Sequence, residues 1–364
     1  MEPKLLVTIS GEKIKTAEDW EKYRRGECLN LLTEYVYGKA PTAAPKTLSF
    51  EIEEKKAIGK ITFERVKISF DGFSFYARVF YKKSKKPLPT IVYMMHNHQQ
   101  TKSDIENTPN CEFIPIEDIV NKGYAVAVFY FKELHHDNRP DAVYEGSLLA
   151  NYSRPREECD GNEWASISAW SFAASRVMDF IETRSEFDKE NVAICGHSRG
   201  GKTALWAGAT DPRFSFVISN SSGCMGAAML RGKEGEHLDF ITTHTLWFCK
   251  NLDNYVENEE MLPVDQHMLL SLIAPRLLYI ESNSLDDWAD PKAERRSARL
   301  ASEVYKLYGK RGVVLPVDDS KVEVCKGYHG GSIGYHMNAG EHKICAADWE
   351  MFLSFWKKKR AKNK

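Results

Sequence analysis

The chain has 364 residues, enough for a sizeable core, and 43% hydrophobic with 28% charged residues is the profile of a soluble globular protein. Lys+Arg 50 against Asp+Glu 51 leaves a net charge of −1, so nothing global draws the chain to nucleic acid or to an anionic membrane. No apolar run is long enough to span a bilayer, and the opening MEPKLLVTISGEKIK lacks the apolar stretch of a secretion signal.

Residues 16–37 place apolar side chains at helical spacing behind a threonine cap and an acidic first turn, and Gly38 with Pro41 end the run. Residues 1–45 therefore read as a helical extension. Residues 49–81 alternate apolar and polar around Asp71-Gly72, which predicts a hairpin. A buried strand over 87–95 runs into His96-Asn97-His98; a short helix over 116–122 and a second buried strand over 124–131 follow. Residues 163–183 form a long helix rich in alanine and aromatics. A strand over 192–195, a helix over 202–208 and a strand over 216–219 come next. Residues 229–262 are irregular and rich in charges and aromatics, as expected of an excursion over a site. Beyond them lie a short helix over 268–273, a strand over 276–281, a helix over Pro291–Leu307, a strand over 332–337 and a final helix over 346–357. The basic tail over 357–364 reads as a solvated terminus. Short apolar strands alternating with helices predict a single α/β domain over 1–364. Its sheet is mostly parallel with helices on both faces, and the N-terminal strands add an antiparallel edge.

The chemistry concentrates at VAICGHSRGGK, residues 192–202. A strand, a tight turn holding Ser198 between glycines, and a helix are the context in which G-x-S-x-G is a nucleophile elbow, the mark of the α/β-hydrolase fold. A serine hydroxyl needs a base, and the base needs an orienting acid, in the chain order Ser, Asp/Glu, His. After the strand over 276–281 the loop SNSLDDWADP offers Asp286, Asp287 and Asp290. After the last strand MNAGEH offers His342, better placed than His336 inside the strand or His329 before it. Eight scattered cysteines without a C-x-x-C pair argue for free thiols and a cytoplasmic setting. His96, His98, His135 and His136 complete no recognisable ligand spacing, so no metal and no cofactor is expected. The loop carrying His98 is expected to wall the site, because it follows a central strand to the same sheet edge as Ser198. Trp247, Phe248 and Tyr255 could stack on a sugar or pack the excursion. Gln266 and His267 stand at a pocket edge or in a structural role.

The stretch GHSRGGKTALWAGATDPRF resembles the G-[CH]-S-R-x-G-K turn of the glucuronoyl esterases, carbohydrate esterase family fifteen. The similarity continues through ISNSSGCMGAAMLR, LWFCKNLDNY, LPVDQHMLLSLIAPRLLYIES, DDWADP and IGYHMNAGEHKICAADWE. It implies an α/β-hydrolase fold and cleavage of the ester between a 4-O-methyl-glucuronate on xylan and a lignin alcohol. Ser198 then matches the nucleophile, Arg199 the oxyanion-binding arginine, Lys202 the lysine on the sugar hydroxyls and Trp288 the tryptophan of the sugar pocket. One departure stands out. Ser221 occupies the position where many members, above all fungal ones, carry the glutamate of the triad, and the resemblance assigns the acid to Asp286, with Asp287 next to it. The expected activity is serine carboxylester hydrolysis on a small-molecule or oligosaccharide ester, with Ser198, His342 and Asp286 as triad, Arg199 at the oxyanion, and Lys202, Trp288, His98, Trp247 and Gln266 at the substrate. Removal of acetyl groups from xylan fragments is the neighbouring alternative, and an inactive hydrolase fold that binds carbohydrate is the third. Nothing in the sequence sets an oligomeric state.

Overall fold

A computed structural model describes residues 2–95, 102–135, 137 and 144–362. Among these described residues nine strands form one sheet in the order β1-β2-β3-β5-β4-β6-β7-β8-β9. The first three, β1 (Ser49–Ile58), β2 (Ile61–Phe70) and β3 (Phe73–Tyr81), are antiparallel, and β3 also meets β5 (Ala125–Tyr130) antiparallel. From β5 onward every neighbour is parallel, through β4 (Leu88–Met95), β6 (Phe187–His197), β7 (Phe216–Asn220), β8 (Leu277–Asn283) and β9 (Ile333–Asn338). The predicted mostly parallel sheet with an antiparallel N-terminal edge is what forms. The hairpin turns at Asp71 (φ 47°) and Gly72 (φ 82°), with Phe70 opposite Phe73. Two consecutive left-handed residues match the right-handed twist of the flanking strands, and an Asp-Gly pair adopts them at least cost.

The parallel strands are apolar on both sides because both sides are covered. In β6, Val192 and Ile194 face one apolar cluster, with the helix α1 (Ser166–Glu182) and α2 (Arg199–Thr210), whereas Ala193 and Cys195 face the other. That second cluster holds Trp349, Phe352, Phe355 and Trp356 of the last helix, Ala346–Lys362. Residues Ala17–Asp19 open the N-terminal helix under a capping box in which Thr16 and Asp19 satisfy each other's backbone N–H. The helix Pro291–Leu307 begins where the sequence places it: Asp290 caps it by accepting from Ala293 N, and Pro291 fills the first turn, where its missing N–H costs nothing.

The excursion over 229–262 departs from the irregular loop expected. It contains a helix, α3 (Leu238–His244), and buries Leu238, Ile241, Trp247, Phe248, Cys249 and Leu252. Trp247 and Phe248 pack inward, so it forms a wall of the fold. All eight cysteines are unpaired, and no helix among the described residues is long and apolar enough to cross a membrane.

Candidate active site

β6 ends on His197 and α2 begins on Arg199, leaving Ser198 between them at φ 57° and ψ −123°. A residue with a side chain pays about 1–3 kcal/mol to sit there, so the surroundings must impose it. Ser198 N donates to Asn220 O (2.9 Å), and Gly201 N and Lys202 N both donate to Ser198 O (2.8 and 3.1 Å). The glycine before the turn is needed for space. A Cβ on Gly196 would stand 2.1 Å from the Gly200 carbonyl oxygen, so strand and helix could not fold back on each other around a larger residue. The result lifts the serine to the carboxyl edge of the sheet, at a helix N-terminus whose first-turn amides favour negative charge.

Two loops reach the same edge. Asp286 follows β8 and is buried; His342 follows β9, and its Nδ1–H donates to Asp286 Oδ2 at 2.6 Å. Ala289 N donates to the other oxygen, Asp286 Oδ1 (3.2 Å), which fixes the carboxylate plane. The His342 ring rests against that of His197, the residue before Ser198, with centroids 4.5 Å apart. His197 Nδ1–H donates in turn to Asn220 Oδ1 (2.5 Å). Burial, and then the neighbouring His342, pull the His197 imidazole down to about 3, so it packs as a neutral ring. No hydrogen bond links His342 to the Ser198 hydroxyl among the described residues, and such contacts commonly close only around substrate.

The other aspartates of this loop are engaged elsewhere. Asp287 is exposed. Asp290 caps its helix and accepts from Glu234 N (2.9 Å), tying the excursion to the triad loop. His336 and His329 belong to a separate network: His336 Nε2–H donates to Asp348 Oδ1 (2.8 Å), and Tyr279 OH lies 3.1 Å from His336 Nδ1 and 2.9 Å from His329 Nε2.

Beyond the serine, α2 presents two cations to the excursion. Arg199 Nη1 donates to the buried Asp137 (2.7 Å), and its guanidinium lies over the Trp247 ring, 5.1 Å from the centroid. Trp247 Nε1 donates to that same Asp137 oxygen. Lys202, one turn on, is buried; its ammonium donates to Glu236 Oε2 (2.9 Å) and to the Cys224 carbonyl, and lies 5.2 Å from the Trp247 centroid. Glu236 Oε1 accepts from Trp288 Nε1 (3.3 Å). Glu236 thus joins Lys202 to Trp288, whose indole is 51% exposed.

A family model described as "Glucuronyl esterase, fungi" matches residues 66–309. The chain is 33% identical to "Carbohydrate esterase MZ0003" from an unknown prokaryotic organism, over 97% of this chain and 88% of that protein. The chain belongs to the glucuronoyl esterase family. Among solved structures, the glucuronoyl esterase from Solibacter usitatus superposes with a TM-score of 0.88 at 32% identity, covering 98% of this chain and 97% of that one. A structure described as a promiscuous esterase of carbohydrate esterase family 15, from a marine bacterial metagenome, gives 0.83 at 32% identity, covering 98% and 96%. The chain is accordingly a carboxylic ester hydrolase of this family, with its α/β-hydrolase fold.

Within that family frame, three of the side chains expected at the substrate are buried. Gln266 is fully buried and its Nε2 donates to the Gly226 carbonyl (2.9 Å), so this amide braces the 223–230 loop. Trp247 is buried under two cations and orients them; it is no open stacking platform. Lys202, expected at the sugar hydroxyls, is buried by the excursion with its ammonium on Glu236. His96, His98 and His136 lie outside the described residues. Asp137 and Glu236 were not legible in advance, since each is one acid in a short polar run without period.

At the departure from the fungal pattern, Ser221 has a left-handed backbone (φ 42°), donates to Glu281 Oε2 (3.1 Å) and accepts from Asn283 Nδ2 (2.8 Å). Burial, with Asp348 and Glu294 nearby, pushes the Glu281 carboxyl well above the usual range. Glu281, His336 and Asp348 are the group of metal-ligand type among the described residues, their ligand atoms within 4.8 Å of one another. His336 and Asp348 are already paired, and no metal is assigned to them.

Behind this layer Glu294 staples the loops: its carboxylate accepts from Gly223 N (3.0 Å) and Ser282 Oγ (2.6 Å). Burial, against these hydrogen bonds, pushes the carboxyl up to about 7 from 4.5. The fold holds this proton more tightly than the unfolded chain does. Its stabilisation is therefore complete below about pH 4.5 and is lost as pH rises through about 7, a swing on the order of 3 kcal/mol. Glu294→Gln, a permanently uncharged mimic, should melt higher relative to the parent at pH 8 than at pH 5. A flat or reversed difference in thermal scans would mean that the carboxyl is ionised throughout.

Proposed function

We propose that the chain cleaves the ester that joins a 4-O-methyl-glucuronate of a xylan-derived saccharide to an alcohol. The observation that carries this reading is the Lys202–Glu236–Trp288 cluster one helical turn from Ser198. A buried ammonium–carboxylate pair is costly to assemble unless its remaining donors and acceptors are used, and a vicinal diol uses both at once. Lys202 is four residues beyond Ser198, about 6 Å along the helix axis. That spacing suits a sugar whose own C6 is the reacting carbonyl. The sugar is then the acyl part, and the alcohol is the leaving group.

In this reading Ser198 Oγ attacks the carbonyl as His342 takes its proton. Asp286 holds the imidazole in the tautomer with Nδ1 protonated and stabilises the imidazolium. The first-turn amides of α2 and the Arg199 guanidinium, steadied by Asp137 and Trp247, receive the oxyanion; one such donor is typically worth about 3–4 kcal/mol of barrier. His342 returns the proton to the departing alcohol, and water then releases the uronate from Ser198. Neutral His197 supports the ring without competing for the proton. The eight unpaired cysteines favour a reducing compartment, where the substrates would be imported oligosaccharides.

Initial rates on a benzyl ester of 4-O-methyl-glucuronate and on an acetylated xylo-oligosaccharide test the assignment. The uronate ester should be preferred by at least about a hundredfold in kcat/KM, because a pocket built to hydrogen-bond hydroxyls discriminates strongly against ligands that leave those groups unpaired. Preference for the acetyl ester would place the sugar on the alcohol side.

A further inference from the structure

His342 stands on a loop, residues 339–343, that faces solvent, and its own side chain is 39% exposed. Loops of that kind lie at the low-stability end of a fold, whereas a general base must meet its partners to within a fraction of an ångström. The fastening comes from beneath. Asn283, the last residue of β8, is fully buried, and its Nδ2 donates to the Lys343 carbonyl (2.8 Å) and to Ser221 Oγ (2.8 Å). A carbonyl only accepts, so chemistry fixes which end of the amide faces Lys343. Both amide hydrogens are spent there, while no described residue donates to the buried Asn283 Oδ1. An amide that leaves its acceptor unpaired in the interior is held for what it donates. The main chain of the same residue serves the acid: Asn283 O accepts from Asp286 N (3.2 Å). One residue thus grips the backbone beside His342 and the backbone of Asp286.

Other bonds close the loop at its edges. Gly340 N donates to Ser284 Oγ (3.2 Å), Leu285 N to Gly340 O (2.9 Å), and Asn338 Nδ2 to Cys345 Sγ across the neck (3.1 Å). Of these contacts the Asn283 bond is the one that lands on the residue next to His342. Ser221 supports it. At the position that carries the triad acid in fungal members, a serine with a left-handed backbone donates to Glu281 Oε2 (3.1 Å) and receives the other Asn283 hydrogen. We propose that Asn283 is a positioning residue of the hydrolysis: by gripping the Lys343 carbonyl and the Asp286 amide it sets the base against its acid and against Ser198, with no contact to the substrate. The inference rests on the Ser198–His342–Asp286 reading and is independent of which ester is cleaved.

Asn283→Leu, which keeps the size of the side chain and removes both donors, tests the role, with Asn283→Ala as a second variant should the first not fold. The primary readout is the rate of inactivation by a fluorophosphonate, which needs the serine and its base but no sugar. It should fall about 10- to 100-fold in either variant, the scale of a misplacement near 1 Å. On the benzyl ester of 4-O-methyl-glucuronate kcat should fall by a similar factor while KM stays within about twofold, since Lys202, Glu236 and Trp288 are untouched. Val304→Ala, a buried substitution in the helix Pro291–Leu307, destabilises the fold away from the loop and should leave inactivation within about twofold. Amide exchange over residues 338–345 should quicken in Asn283→Leu and not in Val304→Ala. Inactivation of both Asn283 variants within about threefold of the parent, a loss that Val304→Ala reproduces, a loss carried by KM, or a loop whose exchange is unchanged would each overturn the positioning role while the triad stands. A folded parent that is never inactivated brings down the triad reading itself, and this role with it.

Discussion

Ser198→Ala should lower kcat by about 10⁴-fold or more while leaving the protein folded, and labelling by a fluorophosphonate should disappear with it. Removing a serine nucleophile forfeits the covalent path and leaves only what oxyanion stabilisation and binding supply, typically about 10³–10⁴ over water. The same position gives an independent stability readout. Ser198 sits at φ 57° and ψ −123°, which alanine tolerates no better than serine but glycine accepts freely. Ser198→Gly should therefore be equally inactive yet more stable than Ser198→Ala by about 1 kcal/mol, the strain relieved less the larger chain entropy of glycine. Equilibrium denaturation measures that difference. A parent protein that is folded and never labelled would favour the third alternative, an inactive hydrolase fold that binds carbohydrate.

Asp286→Asn should cost about 10³–10⁴-fold in kcat with little change in KM. An asparagine can keep the shape of the loop, but it neither fixes the Nδ1–H tautomer of His342 nor stabilises the imidazolium. Glu281→Gln separates this from a general effect of acids near the site. Glu281 is buried on β8 and accepts from Ser221, whereas Asp286 meets His342 at 2.6 Å. The Glu281 variant should stay within about tenfold of the parent, because glutamine keeps the side chain's shape and still accepts from Ser221, and burial pushes the carboxyl of the parent away from its charged form. Equal losses in both variants would show that Ser221 and Glu281 carry part of the work of the triad. A loss confined to Glu281→Gln would move the acid to β8.

What could be read from the chain itself follows from local chemistry. Asp71-Gly72 supplies two left-handed residues in the one place a tight hairpin needs them, Asp290-Pro291 writes the start of its helix, and unbroken apolar runs mark strands covered on both faces. Gly196 and Ser198 are legible for the same reason: the elbow is a short-range steric problem with one compact solution. The alternation of strands and helices then implies a parallel sheet whose loops share an edge, which is how residues 198, 286 and 342 come within one region. Local rules stop there. The side chains that organise the cations come from far away, Asp137 to Arg199 across 62 residues and Glu236 to Lys202 across 34, and neither acid stands in a periodic pattern. The burial of Lys202 beneath the excursion and of Trp247 within it, and the use of Gln266 to brace a loop, were likewise decided by packing. A residue's own neighbours set its backbone, but which partner fills a buried valence depends on which surfaces the finished fold brings together.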